Sequence, residues 1–354
     1  MNHERRRVLL LCDWFLKYVG PYAQALARRD VDVAVFCRDH AYEFGGDRAE
    51  RARVLDAMRI AGVEVIELAG RGSSVARAVA PLAAVRRWQA DVAHAQSEIH
   101  DPRLLAAVGG TPLALMVHDP EPHLAAAPRP LRLRLWRQLW ERRADCLLVH
   151  SSSLADGLPT GKPVRVLPHG AVVRETPLPA PSTPTVLLFG RLEYYKGVRV
   201  LLAAMNIVWE QRPEALLLVA GKGPELAAVP RHPRIEVVPG YVPETEVEAL
   251  LARASLVVLP YLEASQSGVG SIAVGLGVPV VVSDAGGLSE LASDPSFVAP
   301  AGEAQALADA LLRHLDDGAA VRAEVLARAR REIGWDSVAA RAVEIYDELP
   351  ALRT

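Results

Sequence analysis

Short runs rich in leucine, valine and isoleucine recur along the chain, separated by longer stretches whose apolar positions fall at helical spacing. In the first half the runs are Val8–Cys12, Val31–Cys37, Val63–Leu68, Val92–Ala95, Leu113–Val117, Cys146–His150 and Val164–Leu167. They do not alternate between apolar and polar residues, as expected of strands covered on both faces, so the pattern predicts a parallel, doubly wound α/β sheet. Residues 175–184 then carry four prolines in ten positions and no periodicity, which reads as an interdomain linker. After it the grammar restarts with Val186–Phe189, Leu216–Ala220, Ile235–Val238, Leu256–Leu259, Val278–Val282 and a weak run at Phe297–Val298. Two Rossmann-like domains in series, 1–174 and 185–334, would face each other across a cleft able to enclose a ligand. The last segment, 335–354, has apolar residues at helical spacing, with Asp336 as a cap, and can pack back on the N-terminal domain.

Composition narrows the class. A length of 354 residues suits two domains, and a hydrophobic fraction of 51% supports large cores. A formal net charge of −2 leaves no nucleic-acid footprint. The 3 cysteines, Cys12, Cys37 and Cys146, are widely spaced, and the first two end strand-like runs, so they read as reduced structural thiols of a cytoplasmic protein. The apolar stretch after Arg7 is too short for a signal-peptide core, and the longest later one, Val269 to Val282, is broken by glycines and Pro279. No membrane-spanning helix is predicted.

The candidate chemistry lies mainly in the second half. Gly190-Arg191-Leu192-Glu193-Tyr194-Tyr195-Lys196-Gly197 directly follows a buried run, which puts Arg191 and Lys196 at the carboxyl edge of a parallel sheet, where anions bind. Gly221-Lys222-Gly223-Pro224 ends the next strand with glycines that permit close backbone approach. Gly240-Tyr241-Val242-Pro243-Glu244 starts a helix at a strand end. Gln266-Ser267-Gly268-Val269 precedes another, and such a helix start can direct backbone N–H groups at a phosphate. Two cations facing a helix start suit a diphosphate. Neither a P-loop motif nor a dinucleotide fingerprint after the first strand is present.

In these motifs the chain resembles the retaining glycosyltransferases of GT-B architecture, in particular the family 4 group. The resemblance runs the whole length and rests on Phe189-Gly190-Arg191-Leu192 with Lys196-Gly197, Gly221-Lys222-Gly223-Pro224, Leu259-Pro260-Tyr261, Gly277-Val278-Pro279-Val280-Val281 and Gly286-Gly287-Leu288-Ser289-Glu290. It implies that Arg191 and Lys196 neutralise the diphosphate of a nucleotide-sugar donor. Gly190, Gly221, Lys222, Val242, Gln266, Ser267, Gly268, Val269 and Glu290 would line the donor site. It also likens His118, in Val117-His118-Asp119, to the family's strand-end histidine near the transferred sugar. His150 and His169 recur at family positions too, where turn and cap chemistry is the favoured reading.

One departure stands out. Family members commonly carry two glutamates eight positions apart before the Gly-x-Pro-Val-Val strand, and here those positions hold Ala264 and Ile272. Glu263, one residue early, is the substitute carboxylate, with Gln266 and Ser267 offering neutral hydrogen bonds. The resemblance implies transfer of a sugar to a sugar, lipid-linked or small-molecule acceptor with retained configuration, and with no cofactor or metal site. It leaves two rivals open: a nucleotide-sugar epimerase of the same architecture, and a non-catalytic subunit supporting a partner transferase.

A last segment, Arg129–Arg143, sets Leu131, Leu135, Trp136, Leu139 and Trp140 along a helical stripe among arginines. It reads either as a packed helix whose arginine stems cover the core or as an interfacial helix making peripheral contact with an anionic membrane.

Overall fold

The computed structural model describes residues 5–68, 75–97, 101–118, 130–158 and 161–353, and within them the chain forms two parallel sheets. The first is built from β1 (Arg6–Cys12), β2 (Val31–Arg38), β3 (Glu64–Leu68), β4 (Val92–Ala95), β5 (Leu113–Met116), β6 (Cys146–Val149) and β7 (Val164–Val166). The second contains β8 (Thr185–Arg191), β9 (Leu216–Lys222), β10 (Ile235–Pro239), β11 (Leu256–Leu259), β12 (Val280–Ser283) and β13 (Val298–Ala299). Their spatial orders are β3-β2-β1-β4-β5-β6-β7 and β10-β9-β8-β11-β12-β13, so each sheet winds outward, returns past its first strand and continues the other way. That reversal leaves a crevice at the carboxyl ends of β1 and β4 in one sheet and of β8 and β11 in the other.

The helices are α1 (Leu16–Ala27), α2 (Arg48–Ile60), α3 (Val75–Trp88), α4 (Pro102–Val108), α5 (Leu131–Arg143), α6 (Ser152–Gly157), α7 (Val198–Gln211), α8 (Glu244–Leu251), α9 (Gly268–Gly275), α10 (Ala304–His314), α11 (Ala319–Glu332) and α12 (Trp335–Glu348). The apolar runs are explained by what covers them. Val8, Leu10 and Cys12 of β1 belong to a core with α1, α2 and α12, whereas Leu9 and Leu11 belong to a second core with α3, α4 and α5. At about 1.5–3 kcal/mol for each fully buried leucine, both faces demand apolar residues. The second sheet shares one continuous core with its helices.

Two segments join the halves. The proline-rich stretch lies against the second sheet: Leu178 is buried, its N–H donates to Leu276 O at 2.9 Å and its carbonyl accepts from Arg322 Nη1 at 3.2 Å. Arg322 is fully buried and also donates to Ala254 O at 2.6 Å and Ser255 O at 2.9 Å. At the other end, α12 leaves the second half and packs on α1 of the first, contributing Val338, Ala339, Ala342, Ile345 and Tyr346 to that core. The Tyr346 hydroxyl sits 2.6 Å from both Tyr22 Oη and His94 Nδ1, all three groups being buried.

Some local expectations change. Asp336 is not a cap: it lies inside α12 and accepts from Arg28 Nη2 at 2.8 Å, while Gly334 occupies the cap position. The strand expected from Val278 begins at Val280, because Val278 N–H is taken by Ala273 O in the turn that ends α9. The cysteines are free and buried, Cys12 and Cys37 lying opposite each other across β1 and β2. Burial pushes the Cys37 thiol up to about 12 and the Cys146 thiol to about 11.

Replacing Tyr346 by Phe deprives Tyr22 and His94 of their shared partner without opening a cavity. Urea unfolding followed by circular dichroism should show a loss of about 1–3 kcal/mol; an unchanged midpoint would mean that α12 is held by its apolar face alone.

Candidate functional site

At the carboxyl edge of the second sheet, β8 and β9 run in register so that Gly190 pairs with Gly221 and Arg191 with Lys222. The two exposed cations therefore project from adjacent strands at one end. Gly221 is required there: its φ is +136°, and a Cβ would lie 1.8 Å from Gly190 O. The loop after β8 then turns back and brings Lys196 over the ring of Tyr261, with Nζ 3.7 Å from the centroid, and 5.1 Å from that of Tyr195. Among the described residues, Arg191, Lys196 and Lys222 form no ion pair. Burial, and next the like charge of Arg191, bring the Lys196 ammonium down from 10.5 to about 7.

The other wall of the crevice is the loop from β11 to α9. Tyr261 is fully buried; its hydroxyl is 3.1 Å from Ser267 Oγ, and its carbonyl accepts from Ser283 Oγ at 2.6 Å. Ser267 caps α9 by accepting from Gly270 N–H at 3.2 Å, which leaves the N–H groups of Gly268 and Val269 at the start of the helix. Val269 is close to Gly190, whose Cβ would be 3.4 Å from Val269 Cγ2, so the helix start and the cationic loop adjoin. Gln266 Oε1 is buried without a hydrogen-bond partner among the described residues. Glu263 is half-buried in the same loop, and Val242 is half-buried against the core after β10.

The two positions where a carboxylate is missing differ in kind. Ala264 is buried in the core, with its carbonyl 1.7 Å from where a Cβ of Gly286 would stand. Ile272 is 41% exposed on α9.

Across the cleft, His118 stands at the end of β5. Its Nε2 donates to Gln96 O at 2.7 Å and its Nδ1 is 2.9 Å from His150 Nε2, while His150 Nδ1 donates to Leu167 O at 3.0 Å. Two carbonyls claim the protons of two neutral rings, so the contact between the rings has none left. A third proton would satisfy it only by placing a charge where burial, followed by the neighbouring histidines, already drives the His150 imidazole well below its usual range. Both nitrogens of His118 thus face protein groups. Asp119 lies outside the described residues.

His169 is placed differently from its expected turn role. Its Nδ1 is 3.1 Å from Gly170 O, and its Nε2 is 3.9 Å from where a Cβ of Gly268 would stand, at the start of α9. Burial, with a smaller contribution from His118, lowers this imidazole to about 4 and keeps it neutral. His150 and His169 line a cavity of about 190 Å³ between the halves together with Gln266, Ser267 and Glu290. Glu290 itself bridges the halves: its Oε1 accepts from Ser152 N–H at 2.7 Å and Ser152 Oγ at 2.5 Å. The approach is close because Gly287 has no side chain; a Cβ there would meet Ser151 Cβ and Oγ at 2.6 Å.

The structure therefore gathers Gly190, Arg191, Lys196, Gly221 and Lys222 on one wall and Gln266, Ser267, Gly268 and Val269 on the other. Glu290 stands at the seam and His118 on the opposite half. Tyr261, which dries and covers Lys196, and His169, which faces the helix start, gain their places only from the fold. Their sequence signals were a Leu-Pro-Tyr motif and a Pro-His-Gly turn.

The sequence matches two family models, one described as Glycosyltransferase Family 4 over residues 17–174 and one as Glycosyl transferases group 1 over residues 183–317. Among curated proteins, a glycogen synthase of Mycobacterium tuberculosis is 29% identical over 287 residues, which is 74% of this chain and 69% of the relative. Among solved structures, sucrose-phosphate synthase from Thermosynechococcus elongatus superposes with a TM-score of 0.71 at 19% identity, covering 98% of this chain and 100% of that one. Anabaena HepE in complex with UDP-glucose gives a TM-score of 0.67 at 18% identity, covering 97% and 100%. These likenesses extend over both halves and establish the GT-B fold.

Lys196 should titrate near pH 7, far below the 10.5 of an open lysine. Below that pH the folded protein bears the full cost of burying the charge, and from 7 to 10.5 the unfolded chain holds a proton the folded one lacks, so stability rises with pH in that window. Competitive labelling with an amine-selective acylating reagent gives the midpoint. Arg191→Ala should raise it, and a midpoint near that of the surface lysines would contradict the burial account.

Proposed function

We propose, from the premise that this chain belongs to the family 4 glycosyltransferases of GT-B fold, that it moves a sugar from a nucleoside diphosphate to an acceptor hydroxyl. Configuration at the anomeric carbon is retained, and no metal takes part. The carrying observation is the crevice at the switch point between β8 and β11, where Arg191, Lys196 and Lys222 have no acidic partner among the described residues and adjoin the start of α9. A diphosphate seated there exchanges water for charge-assisted bonds worth roughly 1.5–3 kcal/mol each. It also restores a counter-charge to Lys196 and returns it to the ammonium form.

In the reaction the bond between the anomeric carbon and the phosphate oxygen breaks, and the acceptor oxygen bonds to that carbon from the same side. The acceptor proton goes to the departing phosphate oxygen. Negative charge grows on the phosphate as positive charge grows on the sugar. Arg191, Lys196 and the N–H groups of Gly268 and Val269 are already aimed at the former, so little reorganisation is needed when it develops. Gln266 Oε1, buried and unpartnered, suits a hydroxyl of the donor. Glu263 supplies a carboxylate in a loop whose usual acidic position, Ala264, is turned into the core. His169 Nε2 offers a neutral acceptor on the opposite wall, and His118 stands near the transferred sugar as the resemblance implies. The products suit the synthesis of a glycan, polysaccharide or glycolipid.

Calorimetry against a panel of nucleoside diphosphate sugars tests this reading, with UDP-glucose first because Anabaena HepE is seen with it. Assays run in excess chelator, and product configuration is read by NMR. Arg191→Ala and Lys196→Ala should each lower kcat/KM by about 10²- to 10³-fold while thermal melts show the fold retained. No binding to any donor would favour the non-catalytic subunit, free sugar without acceptor the epimerase, and an inverted product would overturn retention.

Glu263→Gln should separately reduce turnover by at least about tenfold if this carboxylate steadies the sugar as charge develops. Wild-type kinetics would instead assign the sugar contacts to Gln266 and Ser267.

A further inference from the structure

Helix α5 has two apolar sides, and the fold uses only one of them. Trp140 is fully buried against the first sheet, and Leu133 and Trp136 are half-buried beside it. Leu131, Leu135 and Leu139, each four residues on from the last, form a line on the opposite side and are 68%, 50% and 44% exposed. The packed-helix reading of this segment accounts for the tryptophans. It leaves the leucines unexplained, because a line of apolar side chains open to water makes no contact with the core.

The arginines of α5 divide the same way. On the inner side Arg137 pairs with Glu141 at 2.6 Å, and Arg143 donates to Gly109 O at 2.6 Å and pairs with Asp145 at 3.3 Å. Arg132, Arg134 and Arg142 flank the leucine line, are exposed, and make no ion pair or side-chain hydrogen bond among the described residues. The bias extends beyond one helix. The sequences of α3, α4, α5 and α6, which pack on this face, contain nine arginines, one glutamate and one aspartate. Those of α1, α2 and α12, on the other face, contain six cations and six acids. A chain of net charge −2 thus has one strongly basic face, with an apolar line along its α5 edge.

We propose that this face docks on a membrane leaflet containing anionic phospholipid, with Leu131, Leu135 and Leu139 entering the headgroup boundary and Arg132, Arg134 and Arg142 meeting lipid phosphates. Leucines flanked by unpaired arginines on one helix match an interface that is apolar below and anionic above. Nucleic acid would use the arginines but gain nothing from the leucines. The direction of the helix suits delivery of an acceptor. β5 ends at Met116 and leads to His118 on the cleft side, and the chain re-enters the sheet where Asp145 accepts from Leu113 N–H at 2.8 Å, so the Leu131 end of α5 is nearer the cleft. No helix among the described residues is long and apolar enough to cross the bilayer, so the contact is peripheral.

The test is sedimentation of the full chain with vesicles of phosphatidylcholine alone or mixed with phosphatidylglycerol. Binding should require phosphatidylglycerol and vanish as ionic strength approaches about 1 M, where the Debye length is about 3 Å. Arg132→Gln, Arg134→Gln and Arg142→Gln should each weaken it about fivefold. Leu131→Gln, Leu135→Gln and Leu139→Gln together should weaken it at least about tenfold. Thermal melts of each variant verify the fold, and the two sets alter different surface atoms, so misfolding of one leaves the other decisive. Equal binding to both vesicle types, no binding to either, indifference to the leucine changes, or tighter binding to an RNA oligonucleotide than to vesicles would overturn the proposal. Sedimentation needs neither donor nor acceptor, so its failure leaves the transferase reading standing.

Discussion

A parallel sheet covered on both faces by helices can offer a ligand only its strand ends, and this constraint organises the protein twice over. Both sheets reverse direction beside their first strand, and the loops that leave the carboxyl ends there diverge to opposite faces and leave a crevice between them. Each half alone presents a shallow crevice. Held together by the seam at Glu290 and Ser152 and by the crossing of α12, the halves enclose a cavity lined by His150, His169, Gln266, Ser267 and Glu290 at the start of α9. The proposed chemistry sits where backbone N–H groups and cations stand at strand ends, while the apolar runs are consumed in holding the strands.

At the cleft the second half presents Arg191, Lys196 and Lys222, and the first half contributes neutral imidazoles. The asymmetry has a physical basis. Arg191 and Lys222 remain in water, whereas Lys196 is folded over Tyr261 and loses solvation, which makes its charge depend on what is bound. His94 and His150 are buried and His169 is half-buried beside His150, and each is driven below its usual range chiefly by loss of water. A site with cations on one wall and uncharged acceptors on the other is polarised before any substrate enters.

The family to which the chain belongs usually supplies paired carboxylates to the sugar and ribose, and here the backbone has been built around their absence. Ala264 is part of the core, so a carboxylate at that position would be buried, and the close approach of Gly286 to its carbonyl holds the loop there. The donor contacts are left to groups on either side of it in the loop.

The amino-acid sequence by itself determined the strands, the parallel class, the break near residue 175 and the cationic loop, because these depend on local composition and on runs that need two covered faces. Arg191, Lys196 and the helix start at Ser267 were legible for the same reason: strand ends and caps are local. What only the tertiary structure decided is how distant residues meet. The register of β8 and β9 aligns Arg191 with Lys222, the return of the loop sets Lys196 on Tyr261, and the meeting of the halves turns Glu290 toward Ser152 and His169 toward Gly268. The apolar stripe of α5 needed the fold as well. Its spacing marks Leu135 and Trp140 as equally fit for burial, and only the packing of the helix on its sheet divides them, because a single helix cannot turn both sides to one core.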